Sequence, residues 1–242
     1  MNTSRARMEK TLATASYFGS IGIVGLVSSA VGPTLESLAT RVGVGISTIG
    51  VIVTARSLGY LLGALGSGQW VDRRRAHPIL AATLGGAAVC LALITLAESI
   101  WSLIGIMACL GMALGGLDVA SNALILRTHP EHPGPFINAL HSFFGLGGLI
   151  APFVVAAFLD VFGQPVLSYW ALALLPIPLL VMIARRPLPP RIREEDSDFR
   201  MTARRLSPRF LLSASFYFFY VGGQISLVSW LFTFAEGVAG SQ

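Results

Sequence analysis

Long apolar runs set the first limit on what this chain can become. Runs of spanning length fall near residues 11–34, 47–70, 78–98, 100–127, 136–160, 166–184 and 209–234. A helix needs about 20 mostly apolar residues to cross a bilayer, so the pattern predicts seven transmembrane helices. In hydrocarbon a helix is the open structure that satisfies its own backbone hydrogen bonds. The remaining composition agrees. Charged residues make up 12% of the chain and the mean hydropathy is +0.71, whereas a soluble domain carries about 25% charged residues. The expected fold is therefore an all-α polytopic membrane protein whose first partner is the lipid bilayer.

The 17 basic residues are all arginine except Lys10, and the net charge is +5. They do not form a nucleic-acid patch. They collect in short tracts on alternate sides of the apolar runs: Arg5, Arg7 and Lys10; Arg73 to Arg75; Arg127; and the stretch from Arg185 to Arg209. The intervening loops carry only Arg41, while Arg56 falls inside a run. By the positive-inside rule this places the N-terminus in the cytoplasm, in a cell (cytoplasmic) membrane. A cleaved signal peptide is the rival reading of the first run, since Ser28-Ser29-Ala30 has the small residues of a cleavage site. The full spanning length of that run, and the correct alternation of every later one, favour retention. Cys90 and Cys109 sit in apolar runs and read as small hydrophobes; no metal site is expected.

Residues 185–208 hold prolines at 187, 189 and 190 and mixed charge, the composition of a solvated linker. The expected organisation is a six-helix bundle over 1–184, a cytoplasmic linker over 185–208, and a seventh helix within 209–242 that begins a second, incomplete bundle.

Polar residues inside the runs are the candidates for function, because an ionisable group at a helix centre costs about 3 kcal/mol. The fourth run carries Gly111, Gly115, Asp118 and Asn122, whose steps of four, three and four share one helix face. The fifth carries Asn138, His141, Gly145 and Gly148, and the seventh Tyr217, Tyr220 and Gln224, again on one face each. Amide, imidazole and phenol groups suit a neutral polyol, whose hydroxyls need donors and acceptors and whose C–H face packs on rings. Asn122, Asn138, His141, Tyr217, Tyr220 and Gln224 are thus candidate solute contacts, with interhelical packing as the alternative. Asp118 lies nine residues, about 14 Å, from Arg127, at a depth where coupling ions bind in secondary transporters. It is the candidate ion-coupling residue, for H+ or Na+. The alternative is a structural pair with the buried charge partner Arg56.

Gly59 and Gly63 allow close helix packing, and Gly68, Asp72 and Arg73 close the second run. An acid at a helix C-terminus opposes the helix dipole and calls for a specific contact. This turn resembles the Gly-x-x-x-Asp-Arg signature of the major facilitator superfamily, in which it latches two bundles in the outward-facing state. That resemblance implies a gating role for Gly68, Asp72 and Arg73. Gly115-Gly-Leu-Asp118-Val-Ala-Ser-Asn122 is similar to a stretch of fucose–proton symporters. Asn138-Ala-Leu-His141-Ser-Phe-Phe-Gly145 and Phe218-Phe-Tyr-Val-Gly222 resemble segments of the sodium-dependent glucose transporter-like group. The parent fold has about twelve helices in two related halves.

The resulting expectation is a secondary active transporter of a small polar solute, a sugar, working by ion-coupled alternating access and needing no cofactor beyond H+ or Na+. A missing C-terminal half or a second copy of the chain would complete it. The alternatives are an exporter of a hydrophobic or drug-like solute and a truncated, non-transporting fragment. An intramembrane hydrolase built on Ser142 and His141 is set aside. Adjacent helical residues point about 100° apart and cannot form a nucleophile–base pair.

Overall fold

A computed structural model describes residues 3–71 and 76–185 and scattered positions between 208 and 234. Asp72, Arg73, Tyr217 and nearly all of the expected linker lie outside the described residues. Regular structure among the described residues is helical throughout.

Among the described residues, six helical segments are long and apolar enough to cross a membrane: Arg7–Val42, Ile46–Gly68, Ala76–Ile94, Ile100–Thr128, Pro133–Phe162 and Pro165–Ala184. These are the first to sixth spans below. Their ends follow from local chemistry. The first helix runs Thr3–Val42, 40 residues or about 60 Å, and overshoots the expected 11–34 at both ends. It stops at Gly43, whose φ of 71° admits the left-handed turn. There Val44 N–H donates to Ala39 O at 3.0 Å and Gly43 N–H to Thr40 O at 3.3 Å, a Schellman closure. Ser99 and Ser102 form a reciprocal capping box at the start of the fourth span. The fifth begins with Pro133 in its first turn and ends at Gly163, φ 66°. The sixth opens with a 3-10 turn, Pro165–Leu167, and its α-helix is interrupted between Leu174 and Pro176, where proline has no N–H to donate.

The chain divides into two compact units, Met1–Pro190 and Arg191–Gln242, with the boundary inside the expected linker. The first unit holds the six spans. The second span packs most extensively on the fourth, the first on the fifth, and the third bridges the fourth and the sixth. In the second unit the described positions, from Pro208 to Phe234, are helical and exposed.

Glycines set the closest contacts. A Cβ placed on Gly59 would run into Ala108 O, and one on Gly63 into Met112 O. From the facing side, a Cβ on Gly111 would strike Arg56 O and one on Gly115 Tyr60 O. The second and fourth spans thus meet backbone to backbone, as small residues four apart permit. The first and fifth repeat the device, Gly25 against Phe144 O and Gly147 against Gly22 O. The outward faces are apolar: Leu58, Leu62 and Leu65 on the second span and Leu149, Phe153 and Val161 on the fifth are exposed. In water such a face is a liability; in a membrane it is the ordinary outer surface.

Gly111→Ala and Gly66→Ala should therefore move stability in opposite directions. Alanine raises helix propensity by about 1 kcal/mol, and nothing stands within 4 Å of a Cβ at Gly66. At Gly111 the new methyl meets backbone, and overpacking costs about 1–3 kcal/mol. Thermal unfolding of the detergent-solubilised chain should show a lower midpoint for Gly111→Ala and an equal or higher one for Gly66→Ala.

Candidate functional site

The glycine seam places a polar cluster inside the first unit. Because Gly111 and Gly115 bring the fourth span onto the backbone of Arg56 and Tyr60, the Tyr60 side chain reaches the next turn of the fourth span. Its O–H donates to Asp118 Oδ2. Asn122, one turn further on, donates from Nδ2 to Asp118 Oδ1 at 2.8 Å and to Asp118 O at 3.0 Å. His141, from the fifth span, interacts electrostatically with the same carboxyl. A carboxyl removed from bulk water thus keeps partners on both oxygens, the condition on which burial of such a group depends. Asp118, Asn122 and His141, read separately from two stripes, belong to one neighbourhood.

Tyr60 was not among the residues expected from sequence. The signal was present: Arg56, Tyr60, Gly63 and Ser67 step by four, three and four along the second span. Aromatic residues are common in apolar runs, and only the partner across the seam distinguishes this one.

Arg56 corrects an expectation. It is buried, at 6% exposure, but it is not the charge partner of Asp118. Its Nη1 donates to Ser28 O at 3.3 Å, on the first span. Pro33, also inside the first helix, leaves the neighbouring Ser29 O without its helical N–H donor. The guanidinium also sits in the field of Tyr169. Thr34 Oγ1 donates to Ala30 O at 2.8 Å, so the 2.8 Å contact between Thr34 and Tyr169 is donated by the phenol. Arg56 donates to a carbonyl of the first span and makes no salt bridge with Asp118 among the described residues.

On the fifth span Asn138, His141 and Gly145 are exposed together. Gly148 faces Ser29 Oγ of the first span, and Gly147, the neighbour of that stripe, carries the close backbone contact. Ser142 donates its hydroxyl to Asn138 O at 3.0 Å. Tyr220 and Gln224 are helical and exposed in the second unit. Of the gating motif, Gly68 is half-buried, and among the described residues nothing stands within 4 Å of a Cβ position there. Arg127, read from sequence as a topology signal, has a further contact: its Nη2 donates to Val71 O at 2.9 Å. A cation thus caps the end of the second span one residue before Asp72.

These contacts predict which residues act together. In double-mutant cycles on the unfolding of the detergent-solubilised chain, Tyr60→Phe and Asp118→Asn should couple by about 0.5–3 kcal/mol, as directly bonded pairs do. Arg56→Gln and Asp118→Asn should add within about 0.5 kcal/mol. Strong coupling of the second pair would restore the ion pair.

Comparison with known proteins covers almost the same stretch as the spans. Residues 17–242 match the profile of the Major Facilitator Superfamily. The sodium-dependent glucose transporter 1 of Xenopus laevis is 29% identical over 84% of this chain and 47% of its own length. Its Homo sapiens counterpart is 27% identical over 93% of this chain and 50% of its own. Major facilitator superfamily domain-containing protein 4A of Homo sapiens is 29% identical over 64% of this chain and 30% of its own. The chain spans about half the length of the glucose transporter relatives it matches. Six membrane-length helices, close-packed on glycines, together with a profile match from the first span to the last residue, make this chain a multi-pass integral membrane protein of the Major Facilitator Superfamily.

Proposed function

We propose that this chain supplies the N-terminal bundle of a secondary active transporter for a small polar solute, a sugar, driven by H+ or Na+ through alternating access. The observation that carries this reading is the Asp118 carboxyl, held inside the bundle by Tyr60 and Asn122 with His141 nearby. The names of the relatives, sodium-dependent glucose transporter 1, point to the same solute class. Exposed Asn138 and His141 offer the solute an amide and an imidazole from the fifth span. Tyr217, Tyr220 and Gln224 would add ring faces and hydroxyl partners from the seventh.

The cluster suggests how an ion would be coupled. With Asp118 ionised, the Tyr60 hydroxyl and the Asn122 amide point their donors at it. A bound H+ or Na+ cancels the charge and competes with those donors. The net charge at a low-dielectric site changes by one unit, a change large enough to bias two conformations that expose it differently. Gly68, Asp72 and Arg73 would form the gate between the bundles, with Arg127 fixing the backbone ahead of it. A second bundle, from further chain or from a second copy, completes the path. The reading assigns no covalent chemistry to the protein and places it in the cell membrane with its N-terminus in the cytoplasm. Export of a hydrophobic solute fits the exposed amide and imidazole less well.

With a second bundle present in proteoliposomes, Asp118→Asn should abolish sugar accumulation under a Na+ or H+ gradient and retain counterflow exchange. Asn122→Ala should weaken exchange itself. Accumulation by Asp118→Asn would remove the residue from coupling, and the gradient that drives the native protein names the ion. No accumulation by the native protein under either gradient is the outcome the fragment reading expects.

Orientation has a separate test. A single cysteine at Gln164, in the turn before the sixth span, should react with an impermeant maleimide only from outside the cell. Labelling only from the cytoplasmic side would invert the topology.

A further inference from the structure

The end of the bundle that carries the N-terminus has a pocket of about 340 Å³, built by the first span and the turn between the fourth and fifth. Its polarity is graded. Arg7 and Lys10 stand at the mouth, with the Thr11 hydroxyl beside them. Deeper, Ala15 and Phe18 on the first span face Phe136 on the fifth. Residues 7, 11, 14 and 18 step by four, three and four, so one helix face presents the whole gradient. From Arg7 to Phe18 is 11 residues, about 16 Å along the axis.

The walls are fixed. His129 stacks on Phe136 with ring centroids 3.4 Å apart and planes at 15°. Phe18 stacks on Phe143 at 5.1 Å. Thr14 Oγ1 donates to Lys10 O at 3.0 Å, so its 2.8 Å contact with His129 Nε2 is donated by the imidazole. Burial first, and then the Lys10 charge, push the His129 imidazole below its ordinary range. Yet among the described residues neither Arg7 nor Lys10 makes a salt bridge. Arg7 and Lys10 thus stand, without a salt bridge among the described residues, at the start of the first membrane-length segment and on the same pocket as Phe18 and Phe136.

We propose that this pocket binds the phosphate group of an anionic phospholipid, with Arg7 and Lys10 on the phosphate and the upper acyl chain between Phe18 and Phe136. Guanidinium and ammonium are the usual phosphate partners, and basic pockets between spans recognise anionic headgroups. The headgroup layer is about 5–7 Å thick on each side of the hydrocarbon. A 16 Å slot therefore crosses it and enters the acyl region. A free phosphate would use the mouth and leave the aromatic slot empty. The site rests on the membrane reading and is independent of any transport role.

The test is native mass spectrometry of the purified full chain, titrated with phosphatidylglycerol, phosphatidylcholine or inorganic phosphate. Phosphatidylglycerol should remain bound in preference to phosphatidylcholine. Arg7→Gln and Lys10→Gln should each weaken it about fivefold, and the double variant should lose the preference. Both side chains are exposed, and an unchanged thermal midpoint confirms that the variants fold. A photoactivatable phosphatidylglycerol with its diazirine on the acyl chain should crosslink to the helix segments holding Phe18 and Phe136. Equal retention of the two lipids, preference surviving in the double variant, or crosslinks confined elsewhere would overturn the site. Displacement of phosphatidylglycerol by an equal concentration of inorganic phosphate would overturn the lipid assignment and make this a site for soluble phosphate.

Discussion

Backbone lies directly on backbone where the second and fourth spans cross, and the polar centre of the bundle depends on that contact. At Gly59, Gly63, Gly111 and Gly115 even a methyl group has no room. Helices in lipid gain little from burying apolar side chains, because the solvent is equally apolar, so close van der Waals packing has to hold them. The same approach shortens the reach from Tyr60 to Asp118. With ordinary side chains in the seam the helices would separate by several ångströms, and the phenol would no longer meet the carboxyl. Packing and site chemistry therefore rest on the same four glycines.

Asp118 and Arg56 both lie within the bundle and are satisfied in different ways. Asp118 is surrounded by neutral donors, a phenol and an amide, with an imidazole close by. Arg56 donates to an acceptor dipole, the Ser28 carbonyl. Replacing an ion pair by two sets of dipoles has a consequence for movement. A buried pair broken by removal of one charge strands the other. Here the charge on Asp118 can be cancelled without stranding Arg56.

The ends of the bundle are built on other terms. Arg127 donates to the Val71 carbonyl, just past the second span, while Arg7 and Lys10 line a pocket at the end of the first. Basic residues at the ends of spans are commonly read as orientation signals alone. In this chain basic side chains also meet a helix-end carbonyl and line a pocket, and the difference lies in what each finds within reach.

Much of this was legible in sequence. The number of described spans and the all-α class follow from run length, because the hydrocarbon thickness fixes how long an apolar run must be. Asp118, Asn122 and His141 could be singled out because a polar group in lipid is costly wherever it lies, and the Gly59–Gly63 pair announced a seam by its spacing. Sequence could not say which helix lay across that seam, since contacts between spans far apart in the chain leave no local periodicity. Tyr60 therefore reads as one more apolar-run aromatic, and a pair between Arg56 and the carboxylate stays open in sequence as the alternative, whereas the structure turns Arg56 to Ser28. Depth along a helix is written in residue number at 1.5 Å per step. Azimuth relative to a neighbour is decided only when the helices pack. That rotation placed the phenol, and kept the guanidinium away from the carboxylate.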